Sequence, residues 1–256
     1  MTTPGTQRTA GTAALAVVLC VVSVAPADFT PVFAPPGSEA DHLAILEAYF
    51  SPGSPWSRTG TRTDGYGQPV DLTNGRLTAT RVDDQGFGGV LDARVPLAGG
   101  VDDQTWTGVE LAVSAVARYA GYTQELGYDL DGDEMGYIEL FDLHGYGMNV
   151  HGDAILTLDP GATFTWVRDG NRGGRWSSRS ADNSDQFDHM VAYYVAGLGD
   201  DRMHWMLFWE DLPAGGDRDY NDMVVEVTTA TVPEPPLGLA LLLAGGALAL
   251  RRWRGA

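Results

Sequence analysis

Eight short runs rich in aromatic and β-branched residues fill the second half of the chain, and they restrict the possible fold more than any other feature. They occupy residues 105–120, 122–130, 136–145, 153–158, 162–170, 188–197, 204–211 and 222–232. Gly, Asp, Asn or Pro residues separate the runs, and no helical periodicity lies between them. The pattern predicts an all-β protein, an antiparallel β-sandwich with a jelly-roll-like arrangement.

One of these runs, residues 204–211, is apolar on both of its faces. Trp205, Leu207 and Trp209 alternate with Met206 and Phe208. Because successive side chains of a strand point to opposite faces of the sheet, both faces of this strand must be covered. We therefore expect it to lie centrally in its sheet.

The sequence divides into a β-sandwich domain at residues 105–231 and a smaller annex at residues 28–104. In the annex, Asp41 can cap a short helix, and Pro52-Gly53 ends it. The Gly- and Pro-rich segment 51–69 predicts a loop or a loosely held hairpin. Within the sandwich domain, the polar segment 168–188 predicts one long exposed loop.

The N-terminal segment has the pattern of a cleavable signal peptide. Arg8 precedes an apolar run at residues 13–24, and the small residues before Ala27 predict cleavage after Ala27. The signal peptide would span residues 1–27 and carry Cys20, so the mature chain would contain neither disulfides nor a thiol nucleophile.

The last segment, residues 232–256, combines three features in a fixed order. Pro233-Glu234-Pro235 precedes an apolar stretch at 237–250, and Arg251 and Arg252 follow it. The stretch is shorter than the ~20 residues of a comfortable membrane span, although snorkelling arginines can extend it. A permanent tail anchor is one interpretation of this pattern.

The same order resembles the PEP-CTERM sorting signal of Gram-negative bacteria. This resemblance implies export by the Sec machinery, a transient stay of the C-terminal transmembrane helix in the inner membrane, and recognition by an exosortase. Removal of the helix would leave the protein at the cell surface or in the extracellular matrix.

The chain is strongly acidic, with 16 Lys and Arg against 34 Asp and Glu and a net charge of -18. Coulomb repulsion therefore opposes binding to nucleic acid or to anionic lipid. A metal ion or a neutral sugar is the partner that this charge favours.

The most acidic short segment lies between two apolar strands and predicts a calcium site. Its candidate ligands are Glu210, Asp211, Asp217, Asp219, Asn221 and Asp222. Two unit charges about 4 Å apart interact by roughly 4 kcal/mol at an effective dielectric of about 20, so these carboxylates repel one another strongly. Asp217, Asp219 and Asn221 have the spacing with which a calcium loop begins, although Thr228 stands where an EF-hand needs its Glu. The alternative is a polar turn whose Asx side chains bind turn amides.

A second and weaker metal candidate repeats this spacing with Asp129, Asp131 and Asp133. Leu140 occupies the position of the bidentate Glu of an EF-hand. An acidic loop between two strands is the alternative interpretation.

The acidic segment also resembles a known family. Its order is Trp209-Glu210-Asp211-Leu212, then Gly215-Gly216-Asp217, then Asp219-Tyr220-Asn221-Asp222. This is similar to the closing signature of the domain of unknown function DUF4114, and the resemblance extends over residues 106–227. It implies an all-β extracellular domain without established catalysis, with calcium as the suspected ligand.

No pattern in the sequence indicates an enzyme. There is no G-x-S-x-G and no H-E-x-x-H motif. The histidines are scattered, although His144 and His151 can meet across a turn. A glycoside hydrolase with paired carboxylates is a remote alternative.

Taken together, these patterns predict an exported structural or adhesive surface protein with a calcium-stabilised body, associated with exopolysaccharide. A carbohydrate-binding, lectin-like module is the alternative. Trp56, Trp176, Tyr193 and Tyr194 are candidates for its stacking platform, although most of the aromatic residues are expected to fill the sandwich core.

Overall fold

The computed structural model describes residues 29–82, 104–107, 110–130, 136–160, 162–171 and 174–229. Within these residues the chain forms one α-helix, α1 (His42–Phe50), and two antiparallel β-sheets. The strands are β1 (Ser57–Thr63), β2 (Pro69–Thr73), β3 (Thr78–Arg81), β4 (Trp106–Thr107), β5 (Glu110–Ala117), β6 (Gln124–Asp129), β7 (Ile138–Tyr146), β8 (Asn149–His151), β9 (Asp153–Thr157), β10 (Thr163–Asp169), β11 (Trp176–Ser177), β12 (Met190–Ala196), β13 (His204–Trp209) and β14 (Met223–Thr229). The prediction of an all-β fold with a short N-terminal helix is confirmed.

The larger sheet has eight strands in the order β1-β2-β3-β12-β13-β14-β5-β9. The second sheet follows the order β11-β10-β6-β7-β8, and β4 pairs with β10 at its side. Each of the eight predicted runs contains a strand. The finer jelly-roll-like description stays a prediction.

The main core lies between the two sheets. Trp205 and Leu207 of β13 and Val225 of β14 pack in one apolar cluster with Leu126 of β6 and Trp166 of β10. All five side chains are buried. The two sheets therefore form a sandwich, because each hides its apolar face against the other.

The opposite face of the larger sheet is covered as well. Met206 and Phe208 of β13 share a second apolar cluster with Ile45 and Leu46 of α1. Every residue of β13 is buried, so the prediction that both faces of this strand are covered is confirmed. The Asp41 side chain accepts a hydrogen bond from the Ala44 N–H and caps the helix as expected.

The annex contributes strands to the same sheet. β1 pairs with β2, β2 with β3, and β3 with β12. The segment 51–69 thus contains one arm of an ordered hairpin. The domain boundary between residues 104 and 105 stays a prediction.

The prediction of one long exposed loop at residues 168–188 is wrong. β11 pairs with β10 inside this segment, and Trp176, Ser178 and Asn183 are buried. The Asn183 amide donates hydrogen bonds to the carbonyls of Ser177 and Phe187. Polar composition suggested solvent, but these side chains satisfy backbone groups inside the protein.

Both predicted sorting segments, residues 1–27 with the cleavage position Ala27 and residues 232–256, lie outside the described residues. In the part of the chain that the structure describes, no helix is long and apolar enough to cross a membrane.

Candidate metal centre

The loop at residues 210–222 joins two central strands of the larger sheet. Trp209, the last residue of β13, pairs with Met223, the first residue of β14. The loop therefore begins and ends at neighbouring positions at one end of these two strands. A single 3-10 turn, Pro213–Gly215, lies within it. We call residues 210–222 the acidic loop.

Three non-glycine residues of the acidic loop have a left-handed backbone. Ala214, Arg218 and Tyr220 have φ angles of 56°, 63° and 55°. L-residues rarely adopt this region, and they do so only where the surroundings enforce it. Arg218 and Tyr220 alternate with Asp217, Asp219 and Asn221, so the unusual backbone sets the directions of the predicted ligands.

Three carboxyl groups of the acidic loop converge. Glu210, Asp219 and Asp222 each offer an oxygen, and these oxygens all lie within 4.8 Å of one another. Glu210 and Asp219 are only 0% and 2% exposed, and Asp222 is partly buried. We call these three residues the carboxylate cluster. It unites three of the six predicted ligands.

Backbone amides of the loop hold the cluster in place. The two carboxyl oxygens of Glu210 accept hydrogen bonds from the Leu212 N–H at 3.1 Å and the Arg218 N–H at 3.0 Å. Asp222 Oδ2 accepts one from the Asp211 N–H at 2.9 Å. A polar turn explains these bonds, but it does not explain why three acids share one space at the cost of repulsion.

Asn221, which precedes Asp222 in the acidic loop, has a buried side-chain amide. Its Nδ2 donates to the Ala40 carbonyl at 3.1 Å, which fixes the orientation of the amide. Its Oδ1 is buried and has no hydrogen-bond partner among the described residues. Buried amide oxygens are nearly always satisfied, so this atom lacks the partner that it needs.

The remaining two predicted ligands, Asp211 and Asp217, are not among the three converging carboxyl groups. Asp217 is exposed at the loop surface. The Asp211 carboxylate lies next to Asp222, but it accepts a hydrogen bond from Gln124 Nε2 at 2.7 Å and lies 3.6 Å from Arg168 Nη2. Arg168 is fully buried and also donates to the Asp211 carbonyl and to Gln124 Oε1. Asp211 is therefore charge-paired by the protein itself.

Burial raises the pKa values of the whole cluster. Burial raises the pKa of Asp219 to about 7. The hydrogen bond from the Asn221 N–H lowers this pKa, whereas the negative charges of Asp217 and Glu210 raise it further. Burial, together with the charges of Asp211 and Glu210, raises the pKa of Asp222 to about 9. Burial also raises the pKa of Glu210, although the Leu212 N–H opposes this. At neutral pH the carboxylate cluster therefore needs a proton or a cation.

His189, the residue before β12, contacts the acidic loop, although no sequence motif indicated this. His189 Nδ1 lies 3.1 Å from the Glu210 carbonyl, and Nε2 lies 3.0 Å from Asp185 Oδ2. The same Asp185 oxygen accepts a hydrogen bond from the Ala214 N–H at 2.7 Å. The Trp176 ring stacks flat on His189 at 4.0 Å. Together, His189 and Asp185 hold the Glu210 carbonyl and the Ala214 N–H of the acidic loop in fixed positions.

Helix α1 supports the other side of the loop. His42 Nε2 lies 2.9 Å from the Asp219 carbonyl, and its ring stacks on Phe208 at 3.9 Å. Burial lowers the pKa of His42 to about 3, so the ring is neutral and its N–H donates. Glu39 lies beside Asn221; burial raises its pKa, and the Asn221 hydrogen bond opposes the rise. Neither residue follows a motif, because each is brought to the loop by packing alone.

The second metal candidate is only partly visible. Asp129 is buried at the end of β6, whereas Asp131 and Asp133 lie outside the described residues. His144 and His151 form a strand pair between β7 and β8, where both are exposed.

The four candidate residues for a sugar-stacking platform lie in or against the core, as the sequence favoured for most of its aromatic residues. Trp56, Trp176 and Tyr193 are buried, and Tyr194 is half-buried against the main core. Large side chains on inward-facing strand positions fill cores, and these residues follow that rule.

Comparison with known proteins gives one family match. Residues 158–230 match the model of DUF4114, a domain of unknown function, which is a shorter range than the 106–227 of the sequence resemblance. Among solved structures, a high-affinity mannose-binding lectin from Ralstonia solanacearum is similar at 19% identity and a TM-score of 0.31, over 50% of this chain and 90% of that one. No curated protein matches the chain. The DUF4114 match includes the whole acidic loop.

Proposed function

We propose that the acidic loop binds a calcium ion and that the protein is an exported structural or adhesive component of the cell surface or extracellular matrix. The observation that carries the metal proposal is the convergence of the Glu210, Asp219 and Asp222 carboxyl groups within 4.8 Å. Calcium is a cation that such a purely oxygen-based ligand set favours.

The donor chemistry fits calcium better than a transition metal. Calcium takes six to eight oxygens from carboxylates, amide oxygens, backbone carbonyls and water. The carboxylate cluster supplies three acids, and the buried Oδ1 of Asn221 supplies an amide oxygen that lacks another partner. The cluster contains no nitrogen or sulfur ligand, whereas zinc sites are usually built from His and Cys.

Calcium would act structurally by joining several parts of the fold. The acidic loop links β13 to β14, and its Asp219 carbonyl and Asn221 amide bind the start of α1. Through Asp211 it also contacts Gln124 and Arg168 of the second sheet. Neutralising the carboxylate cluster would therefore stabilise the helix, the larger sheet and the second sheet at one point. A rigid body of this kind suits a matrix protein outside the cell.

The test is thermal unfolding of the protein in EDTA, in magnesium and in a calcium series. A ligand that binds only the native state stabilises it by about 2.7 kcal/mol at a hundredfold excess over its Kd. We expect a saturable rise of Tm with calcium, reversed by EDTA. Asp153→Asn, which changes an exposed acid on β9, should show the same rise of Tm with calcium as the unchanged protein. A Tm that does not respond to calcium contradicts the proposal.

The location is a separate part of the proposal and is supported by the two terminal segments of the sequence. Replacing Pro233-Glu234-Pro235 by three alanines should leave the chain uncut in the inner membrane, because the exosortase would no longer recognise it. Size analysis of membrane and extracellular fractions measures this. Normal processing of the variant would refute sorting by exosortase, whatever the metal does.

A further inference from the structure

A row of aromatic side chains and one arginine runs along the outside of the acidic loop. The Tyr66 and Phe33 ring centroids are 5.7 Å apart. The Arg218 guanidinium lies 5.8 Å from the centre of the Phe33 ring and 5.0 Å from that of Phe187. We call Tyr66, Phe33, Arg218 and Phe187 the aromatic row.

Two rings of this row are open to solvent, with Tyr66 63% exposed and Phe33 42% exposed. They come from different parts of the chain, Tyr66 from the β1–β2 turn and Phe33 from the segment before α1. Large apolar side chains that are exposed next to one another mark interaction sites more often than single ones do.

Backbone hydrogen bonds hold the row in a fixed arrangement. The Phe33 N–H donates to the Arg218 carbonyl at 2.9 Å, and the Arg218 N–H donates to Glu210 Oε2. In the β1–β2 turn, Asp64 Oδ1 accepts hydrogen bonds from the N–H groups of Tyr66 and Gln68, both at 2.9 Å. Such preorganisation lowers the loss of conformational entropy when a ligand binds.

Arg218 is the unusual member of the row. It lies in a loop of acids within a chain of net charge -18, yet its guanidinium makes no ion pair with any described residue. It lies against two phenyl rings instead, as a cation–π contact. Its planar donors therefore remain available for the oxygen atoms of a ligand.

We infer that the aromatic row binds a neutral saccharide chain. The C–H face of a sugar ring is apolar and packs on an exposed aromatic ring, while its hydroxyl groups accept hydrogen bonds from a fixed guanidinium. The net charge of -18 disfavours acidic polymers by Coulomb repulsion. The inference rests on the adhesive part of the proposed function, because a bound polysaccharide would be what the protein adheres to.

Affinity electrophoresis with three soluble neutral polysaccharides, a glucan, a mannan and a galactan, tests this inference in calcium buffer. We expect at least one of them to retard the protein. Tyr66→Ala and Phe33→Ala should each weaken the retardation about tenfold, because each change removes one of the two exposed rings on which a sugar can pack. Tyr146→Ala is the matched control, since Tyr146 is 56% exposed and lies outside the row.

The outcomes separate the inference from the proposed function. Absence of retardation by all three polymers, equal retardation of Tyr66→Ala and the wild type, or stronger retardation by a polyuronate would each overturn the saccharide inference. Calcium melts of the same proteins measure the metal independently, and Tyr66→Ala should keep the full calcium-induced rise of Tm. Retardation without any calcium response would refute the calcium proposal and leave the saccharide site standing.

Discussion

Two groups of acidic side chains lie at opposite ends of the β13–β14 hairpin, and they differ in how their negative charge is balanced. At the His204 end, His204 Nδ1 lies 2.6 Å from Glu226 Oε1, and Nε2 lies 3.0 Å from both Asp200 carboxyl oxygens. Both ring nitrogens face carboxylates, so a protonated imidazole satisfies every contact. The Tyr49 hydroxyl donates to the other oxygen of Glu226 at 2.8 Å.

The carboxylate cluster at the opposite end of the hairpin has no comparable partner among the described residues. Arg168 makes its ion pair with Asp211 and donates hydrogen bonds to Gln124 Oε1 and to the carbonyls of Gly174 and Asp211, not to the carboxylate cluster. The comparison shows that acid content alone does not indicate a metal site. What distinguishes the two ends is whether the protein supplies the positive charge itself, and at the acidic loop it supplies only part of it.

Removing Arg168 should have the largest effect on stability. Arg168→Met leaves the buried Asp211 carboxylate and Gln124 Oε1 without their cation, and breaking one partner of a buried pair typically destabilises by about 3–5 kcal/mol. The acidic loop would then depend still more on an added cation. Denaturant unfolding in EDTA and in calcium measures both effects.

Arg175→Met provides the control for this variant. Arg175 pairs with Asp169 at 2.7 Å, but its side chain is 37% exposed, and surface pairs contribute about 0–1 kcal/mol. If Arg168→Met were no less stable than Arg175→Met, the Asp211 charge would not need its buried partner, and the contrast between the two ends would lose its basis.

A change in the carboxylate cluster should have an effect whose sign depends on calcium. In Asp219→Asn, the new side chain can still accept the Asn221 N–H hydrogen bond that Asp219 Oδ1 accepts at 3.1 Å. In EDTA the variant should be at least as stable as the wild type, because one repelling charge is gone. In calcium at a hundredfold excess over the wild-type Kd it should lack most of the stabilisation of about 2.7 kcal/mol.

Paired melts with and without calcium measure this reversal. Asp153→Asn is the control, because Asp153 is an exposed acid on β9, outside the acidic loop. An Asp219→Asn protein with the calcium affinity of the wild type would remove Asp219 from the ligand set.

The sequence drew attention to the acidic loop because five acids lie within thirteen residues, but it did not predict their separate contacts. Asp211 looks like its neighbours in the sequence, and only the structure shows it facing Arg168, which is 43 residues away. His42 reaches the Asp219 carbonyl across 177 residues. Such contacts depend on sheet order and packing, which no local spacing encodes.

The fold shows the same limit. The alternation in residues 204–211 correctly indicated a central strand, since β13 is buried on both faces. Polar composition misled at residues 168–188, where Trp176 donates its indole N–H to the Asp211 carbonyl. Periodicity reports burial of a regular strand, whereas an irregular segment can be buried wherever its polar groups find partners.

The smallest predicted effect concerns the His204 end and its pH dependence. Burial alone would lower the pKa of His204, but the hydrogen bonds and charges of Glu226 and Asp200 outweigh it and raise the pKa above its ordinary value. The resulting stabilisation should be complete below about pH 6.5, the value of an unfolded histidine. It should be lost as the pH rises through the higher folded value.

Denaturant unfolding between pH 6 and 9 in saturating calcium isolates this effect, because the proposed calcium ion would hold the carboxylate cluster ionised throughout. Glu226→Gln should remove most of the pH dependence and lower stability at pH 6 by about 1.5 kcal/mol, the contribution of a hydrogen bond to a charged group. Asp201→Asn, a change at an exposed neighbouring acid, should leave the dependence intact. If Glu226→Gln kept the wild-type slope, His204 would not be the cation that balances its end of the hairpin, and the contrast between the two ends would fail.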